Sequence, residues 1–482
     1  MLPGLTITTQ DGGLGLVTSG GDKPLVVGTC SSGTAATLYT FSQPSAVTAT
    51  LGQGPAATLA CHILDVAGGS VDVMKTAGST AATNTAVTET GPDGPNVTVA
   101  GTATDFFHVI VTMVLGGALG TARFTYSLDG GETTSAVRTT AGGGTFLMPG
   151  TGLTLTFAAG THVVGTIHTF TSAPATYDAT DLDAAVDALL LLNTRWKFAV
   201  FTGRDATASA SATLAAGIGG YLDDLADDFR YLRGLVDCGG DSVSNTQTQF
   251  AAVEDLRLAA FFGNVRISVA NPLEAWRRPF LPYLYSAAAR VADLTRATNL
   301  GWVGRGKLDK VTAISFDEAK EGEQLHDVKI NTTRTFVGRP GYYGVNGLLK
   351  SPVGSDFRYL HWGLAFDLLC QTVSDALHPY INSSLRVNTD GTGTIHPLDK
   401  AKIDAAVNAR IKAAVLDPVT EQGFQGFFSA AQFAVDPAWN ILTSESLKGD
   451  VFAVPLANTE QVAITAGLVT SLTSEESTEE AA

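Results

Sequence analysis

The spacing of apolar residues changes twice along this chain, and those changes limit the folds open to it. In the first part, short apolar runs with strand character alternate with stretches of helical spacing. The body starts near Pro24. Leu25-Val26-Val27 reads as a buried strand ending at Gly28, residues 57–66 as a helix and 70–74 as another strand. Between residues 93 and 176 the helical period is lost. Residues 105–115 form a β-rich run ending at Gly116-Gly117, and 123–127 lead into the turn Leu128-Asp129-Gly130-Gly131. Residues 153–157 alternate apolar with polar, and 162–170 form a further strand with Gly165 at a bulge position. Short strands at regular spacing, with turn residues between them, predict a small all-β unit. After Pro174 the helical period returns. Thr180 or Asp181 can cap a helix through Leu192, and residues 197–201 read as a strand. Residues 213–235 and 249–262 read as helical, 265–269 as a strand and 281–296 as a helix. The economical arrangement is an α/β body, residues 21–92 and 177–340, interrupted by a β insertion at 93–176.

A last unit is expected over residues 341–470. Trp362, Phe366, Leu369, Val373 and Leu377 share one helical face, as do Ile403, Val407 and Ile411 further on. Residues 427–435, 451–456 and 461–469 then read as strands. The fold class is mixed α+β and multi-domain, as 482 residues exceed what one ordinary core serves. Both ends differ from the rest. Residues 1–20 read as an extended arm, in which Leu5, Ile7 and Thr9 mark a short strand before Gly12, Gly13, Gly15 and Gly20. In the final strand Val462, Ile464 and Ala466 alternate with their neighbours. Residues 471–482 carry four glutamates with no periodicity and are expected to be a disordered acidic tail.

Composition narrows the function. Charged residues make up 16%, against about 25% in an average soluble protein. A surface rich in Thr, Ser and Gly suits close contact between subunits, because fewer ions must be desolvated. The net charge of −16 and the lack of a basic stripe argue against direct nucleic-acid binding and against adhesion to anionic membranes. Runs such as 109–115 and 184–192 are too short to span a bilayer, so stable membrane insertion is not expected. Met1-Leu2-Pro3-Gly4 opens no secretory signal. Cys30, Cys61, Cys238 and Cys370 are scattered without a CxxC pair, which fits a reducing cytoplasm and no zinc site.

No candidate for chemistry is complete. Gly301-Trp302-Val303-Gly304-Arg305-Gly306-Lys307 matches a phosphate-binding loop up to its lysine, but Leu308 stands where a magnesium-binding hydroxyl is required. Gly28-Thr29-Cys30-Ser31-Ser32-Gly33 is not a nucleophile elbow, and no histidine or acid is recognisably paired with it. His162 and His168 lack a third metal ligand. Asp223, Asp224, Asp227 and Asp228 read as a solvated helix face, since calcium ligands come from loops. No catalytic, metal or cofactor residue is expected, and the chain is not expected to be an enzyme.

The order of these elements resembles the contractile phage tail sheath family. The resemblance is carried by Ile7 to Gly15 and Pro24 to Gly33. It continues through Phe124-Thr125-Tyr126-Ser127-Leu128-Asp129-Gly130-Gly131, Gly150 to Phe157 and Phe170 to Pro174. Tyr342 to Asn346, the two C-terminal helices and Asp436 to Val454 complete it. The resemblance implies a helical homo-oligomer of stacked rings around a tail tube protein, with baseplate and tail terminator proteins at its ends. It would assemble in the host bacterial cytoplasm and form part of the virion tail. Contraction of the lattice would drive the tube through the host envelope for genome delivery. It also implies strand exchange between subunits, through Leu5, Ile7 and Thr9 at one end and Val462, Ile464 and Ala466 at the other. A tail-like bacteriocin or injection machine would use the same subunit. From another class, a carbohydrate-binding adhesin would need an exposed platform built from Phe106, Phe107, Phe124, Tyr126, Phe157 and Phe170.

Overall fold

The computed structural model describes residues 22–203, 207–240, 242–267, 280–322 and 324–460. Its centre is a seven-stranded sheet. Across the sheet the strands run Ile330–Asn331, Leu258–Phe261, Gly234–Asp237, Phe198–Phe201, Pro24–Gly28, Val71–Lys75 and Thr37–Phe41. All neighbours are parallel except the last pair, which is antiparallel. Pro24–Gly28 and Phe198–Phe201 are buried at every residue. This is the pattern of strands covered on both faces, and it explains their unbroken apolar runs. Helices Pro55–Ala67 and Tyr283–Asp293 pack on one face around Val26, Phe198 and Val200. Ala179–Leu190, Ala208–Asp227 and Val243–Ala251 cover the other, around Leu25, Val27 and Phe201. Each fully buried side chain of this size contributes roughly 1.5–3 kcal/mol. Gly28 ends its strand where a Cβ would lie 2.6 Å from the Thr202 carbonyl oxygen, so the next strand can approach only a glycine.

Two polar groups inside this layer are matched with care. The buried Asp72 carboxylate accepts from Trp196 Nε1 (2.9 Å) and Thr40 Oγ1 (2.7 Å). Lys197 is buried and donates from Nζ to the carbonyls of Val291 (2.7 Å) and Leu294, closing the open C-terminus of Tyr283–Asp293.

Between Val71–Lys75 and Phe198–Phe201 the chain builds two further sheets. In one, Ile167–Ala173, Phe107–Leu115 and Arg123–Ser127 are joined by the short strands Thr83–Asn84, Thr88–Thr90 and Arg138–Thr139. The other contains Thr145–Leu147, Leu153–Phe157 and Val97–Gly101. Their shared core includes Val109, Val111, Phe124, Tyr126, Phe157 and Phe170. Strand pairing here begins ahead of residue 93, with Thr83–Asn84 and Thr88–Thr90 both against Ile167–Ala173. Thr80 and Thr176 face each other across an antiparallel bridge, each amide bonded to the other's carbonyl (3.1 and 3.0 Å).

The sequence reading needs four corrections. Residues 213–235 are not one helix: Ala208–Asp227 ends, Phe229 turns with φ 61°, and Gly234–Asp237 enters the central sheet. Residues 249–262 also divide, into the helix Val243–Ala251 and the central strand Leu258–Phe261. The helix after Pro174 is capped by Asp178, whose side chain accepts from the Asp181 amide in a capping box, rather than by Thr180 or Asp181. Residues 162–170 are not one strand. His162 forms an isolated bridge to Gly117, and the strand starts at Ile167 beyond a turn at Gly165.

The last unit hangs on the helix Leu360–Leu377. Its N-terminal residues Leu360 and Leu364 belong to the core of the central sheet. Ala365, Leu369, Val373 and Ala376 belong to a separate core with the helix Pro397–Ile411 and the hairpin strands Phe428–Val435 and Gly449–Pro455. Between the two halves Asp367 is buried and accepts from Arg233 Nε (2.9 Å) and Nη2 (2.8 Å), a two-pronged pair at 1% and 4% side-chain exposure. Arg195 Nη1 donates to both carboxylate oxygens of Asp375 (2.7 Å each) in a more exposed pair. One helix thus serves two cores and is tied to the body at mid-length and near its end.

Candidate subunit interface

The hairpin Phe428–Val435 and Gly449–Pro455 pairs only with itself among the described residues. Its inner face carries Phe433, Val435, Val451 and Ala453 onto Ile403, Val407 and Ile411. The two long sides of the hairpin are treated differently. Along Phe428–Val435, the helix Pro397–Ile411 supplies side chains that imitate a neighbouring strand. Asn408 donates to the Phe433 carbonyl (2.9 Å) and accepts from its amide (2.8 Å), and Asp404 accepts from the Val435 amide (2.8 Å). Along Gly449–Pro455 no second strand pairs among the described residues. That strand also exposes Phe452 (63%) and Val454 (56%). A two-stranded hairpin is marginal alone, and an open strand edge is a template for another chain. The geometry leaves the Gly449–Pro455 edge open to strand addition, with apolar side chains beside Phe452 and Val454.

Both described ends of the chain are anchored near one loop, residues 294–300. Arg296, a buried member of this loop, donates to Asp22 (3.1 Å). Asn299 donates to Asn458 (3.3 Å) and Asn346 (2.7 Å). Glu421, from the loop before the hairpin, accepts from Thr295 Oγ1 (2.6 Å) and from the Thr298 hydroxyl. Past the hairpin, Trp362 Nε1 donates to the Leu456 carbonyl (3.0 Å). Glu460 accepts from Tyr359 (2.7 Å), Asn346 (2.9 Å) and Arg358. Burial works to raise the Glu460 carboxyl, but the Tyr359 hydrogen bond and the Arg358 charge outweigh it and leave it below its ordinary value. The sequence-predicted residues Leu5, Ile7, Thr9, Val462, Ile464 and Ala466 lie outside the described residues. Sequence reasoning missed Phe452 and Val454, whose signal was their alternation, and the i, i+4 pair Asp404 and Asn408.

The other candidates resolve physically. The loop resembling a phosphate site turns carbonyls, not amides, toward its ligand. Arg290 is buried and donates to the carbonyls of Lys307 (3.1 Å), Gly306 (3.0 Å) and Trp302 (3.4 Å). That polarity suits a guanidinium and opposes a phosphate. Burial pushes the Cys30 thiol up to about 12, which removes its nucleophilic form. Burial lowers the pKa of His168, against the partial support of Glu89 3.7 Å away. Among the described residues no group of three or more His, Cys, Asp or Glu is arranged to hold a metal. Asp223 of the acidic helix pairs with Arg257 (3.1 Å). Of the six aromatic residues, Phe107, Phe124, Tyr126, Phe157 and Phe170 are buried and Phe106 is half-buried, so together they form no exposed sugar-binding platform. Among the described residues no helix is long and apolar enough to cross a membrane.

No protein-family model matches the chain, and no curated protein matches it. Solved structures do. A chain of the anti-feeding prophage baseplate in contracted state is 14% identical, with TM-score 0.53 over 97% of this chain and 98% of that one. A chain of the six-fold symmetrised baseplate of the same particle is 13% identical, with TM-score 0.52 over 97% and 99%. The helical sheath of that particle in contracted state is 12% identical, with TM-score 0.51 over 97% and 99%. The likeness runs almost end to end on both sides, and it shows a shared fold.

Proposed function

We propose that this chain, which has the tail-sheath fold, is the subunit of a contractile tail sheath that polymerises helically and is not an enzyme. The observation that carries the reading is the hairpin with one side closed by Asp404 and Asn408 and the other open beside Phe452 and Val454. A strand from a second copy completes that sheet, and a third copy receives this chain's own end, so the contact propagates without closing. In this reading the lattice surrounds a tail tube, meets a baseplate and a terminator, is built in a bacterial cytoplasm and shortens to deliver a genome from a virion tail. A tail-like injection machine is the second reading, favoured because the like structures come from the anti-feeding prophage.

The test combines negative-stain imaging of the purified chain with strand-breaking variants. The wild type should form tubes or rings. Ile464→Pro and Ile7→Pro each remove a backbone donor and a side chain from a proposed exchange strand, at about 3 kcal/mol or more per junction. Both should stay folded by circular dichroism and fail to sediment as polymer. A wild type that remains monomeric at high concentration would overturn the reading. Variants that unfold as monomers would assign these strands to the chain's own core.

The β insertion proposed at 93–176 is taken to sit outside the lattice. Because Thr80 and Thr176 are bridged, a short Gly/Ser linker in place of residues 81–175 can join them without moving either. The shortened chain should stay soluble, melt cooperatively and still polymerise. It loses contacts such as the hydrogen bond from Thr58 to Asp105 and the pair of Arg266 with Glu132, so a modest fall in melting temperature is expected. Failure to fold would show that the β sheets are integral to the body.

A further inference from the structure

A groove of about 840 Å³ lies on the body, and the last described residues of the chain are among those that line it. Ala457, Asn458, Thr459 and Glu460 line it together with Trp302, Phe336 and Phe424. Phe424 is 55% exposed, a large apolar surface left to water. Glu460 is held by Tyr359, Asn346 and Arg358. The chain therefore leaves the described structure from inside the groove, with residues 461–482 still to come. The first of these carry Val462, Ile464, Ala466 and Leu468 at every second position.

We propose that in the free subunit this groove is filled by residues 461–469 of the same chain, with Val462 and Ile464 set against Trp302, Phe336 and Phe424. The proposal rests on the sheath reading for its consequence: assembly must draw the segment out, so the groove restrains polymerisation until a neighbour offers a sheet edge. Three observations select this occupant. The segment begins at the pinned Glu460, so its first residues are held at the high effective concentration of a short tether, on the order of millimolar. Its apolar positions alternate, so one edge can face the aromatic residues and the other the water. Extended chain advances about 3.3 Å per residue, so Val462 and Ile464 lie within about 7 and 13 Å of the pinned Glu460, which itself lines the groove.

The test uses the full chain with Ala319→Cys in the groove wall and Thr465→Cys in the segment, bridged by a short bismaleimide. The native Cys30, Cys61 and Cys370 thiols are pushed up to about 12 by burial and compete poorly. At dilutions where the subunit sediments as a monomer, a bridge within one chain is expected, with a yield independent of concentration. The bridged monomer should not polymerise. In a second measurement, ending the chain after Glu460 should speed labelling of the Ala319→Cys thiol severalfold. A bridge found only between two chains would assign the groove to a second copy and overturn the proposal, as would unchanged labelling after truncation. The two readings fail separately. Tubes from the unbridged variant without any intrachain bridge remove the groove assignment alone. An intrachain bridge in a chain that never polymerises removes the sheath reading alone.

Discussion

Replacing Asp367 with alanine should destabilise the protein by about 3–5 kcal/mol, the usual effect of leaving one partner of a buried ion pair alone. Asp367 and Arg233 are 1% and 4% exposed at the side chain, and their two parallel hydrogen bonds are 2.8 and 2.9 Å. Arg257 stands 3.6 Å from the same carboxylate, so the substitution strands one guanidinium fully and a second in part. The Arg233 bond to the Leu256 carbonyl (2.6 Å) and its position over the Phe357 ring survive. They keep the residue in place but do not balance its charge. Asp367→Asn should fall between wild type and alanine, because one acceptor remains. The double change Arg233→Met with Asp367→Leu should recover most of the loss. Chemical denaturation of the four proteins measures this. A loss under 1 kcal/mol in Asp367→Ala would mean that water reaches the pair in solution.

Acid should unfold the protein well before its carboxylates require it. Burial pulls the His62 imidazole down to about 4 and that of His361 to about 3. In the unfolded chain both bind protons near pH 6.5. The native state therefore binds fewer protons than the unfolded state throughout the interval, and stability must fall as the pH drops below about 6.5. Once both sites take up a proton on unfolding, the slope approaches about 2.7 kcal/mol per pH unit, and it persists down to about pH 4. Neither ring nitrogen of His62 has a hydrogen-bond partner among the described residues. His62→Leu should therefore cost little at pH 7 while removing about half of the slope. Denaturation midpoints from pH 7.5 to 4.5, wild type against His62→Leu and His361→Leu, give the comparison. Parallel profiles for all three would show that these histidines are protonated in the native state.

What the sequence disclosed followed the strength of its local signals. Pro24–Gly28 and Phe198–Phe201 were legible because both faces are buried and the apolar run is unbroken. The β region was legible because its turns carry glycine at positions such as Gly130 and Gly131, where φ is 75° and 96°. Leu258–Phe261 was not, since Leu-Ala-Ala-Phe is a good helical sequence and only the central sheet makes it a strand. Gly234–Asp237 was lost for a related reason. A strand as short as Gly-Leu-Val-Asp after a helix extends the helical pattern unless the break at Phe229 is known. For the interface, Phe452 and Val454 could have been read from alternation. The closure of the opposite side by Asp404 and Asn408 could not, because it depends on how the helix lies against the hairpin. Glu460, Asn346 and Tyr359 meet only through tertiary packing.

The helix Leu360–Leu377 has a mechanical consequence. At 1.5 Å per residue it is a rod roughly 27 Å long, seated at one end in the central layer and at the other under the terminal hairpin. A load placed on the strand Gly449–Pro455 can pass through the core it shares with Leu369 and Val373 to that rod, and along it to Leu360 and Leu364. Arg233 and Arg195 brace it against rotation on the way. A body built in this way behaves as a stiff girder. In the sheath proposed above it would turn or shift as a whole when pulled, and elastic work would reside in the joints between copies.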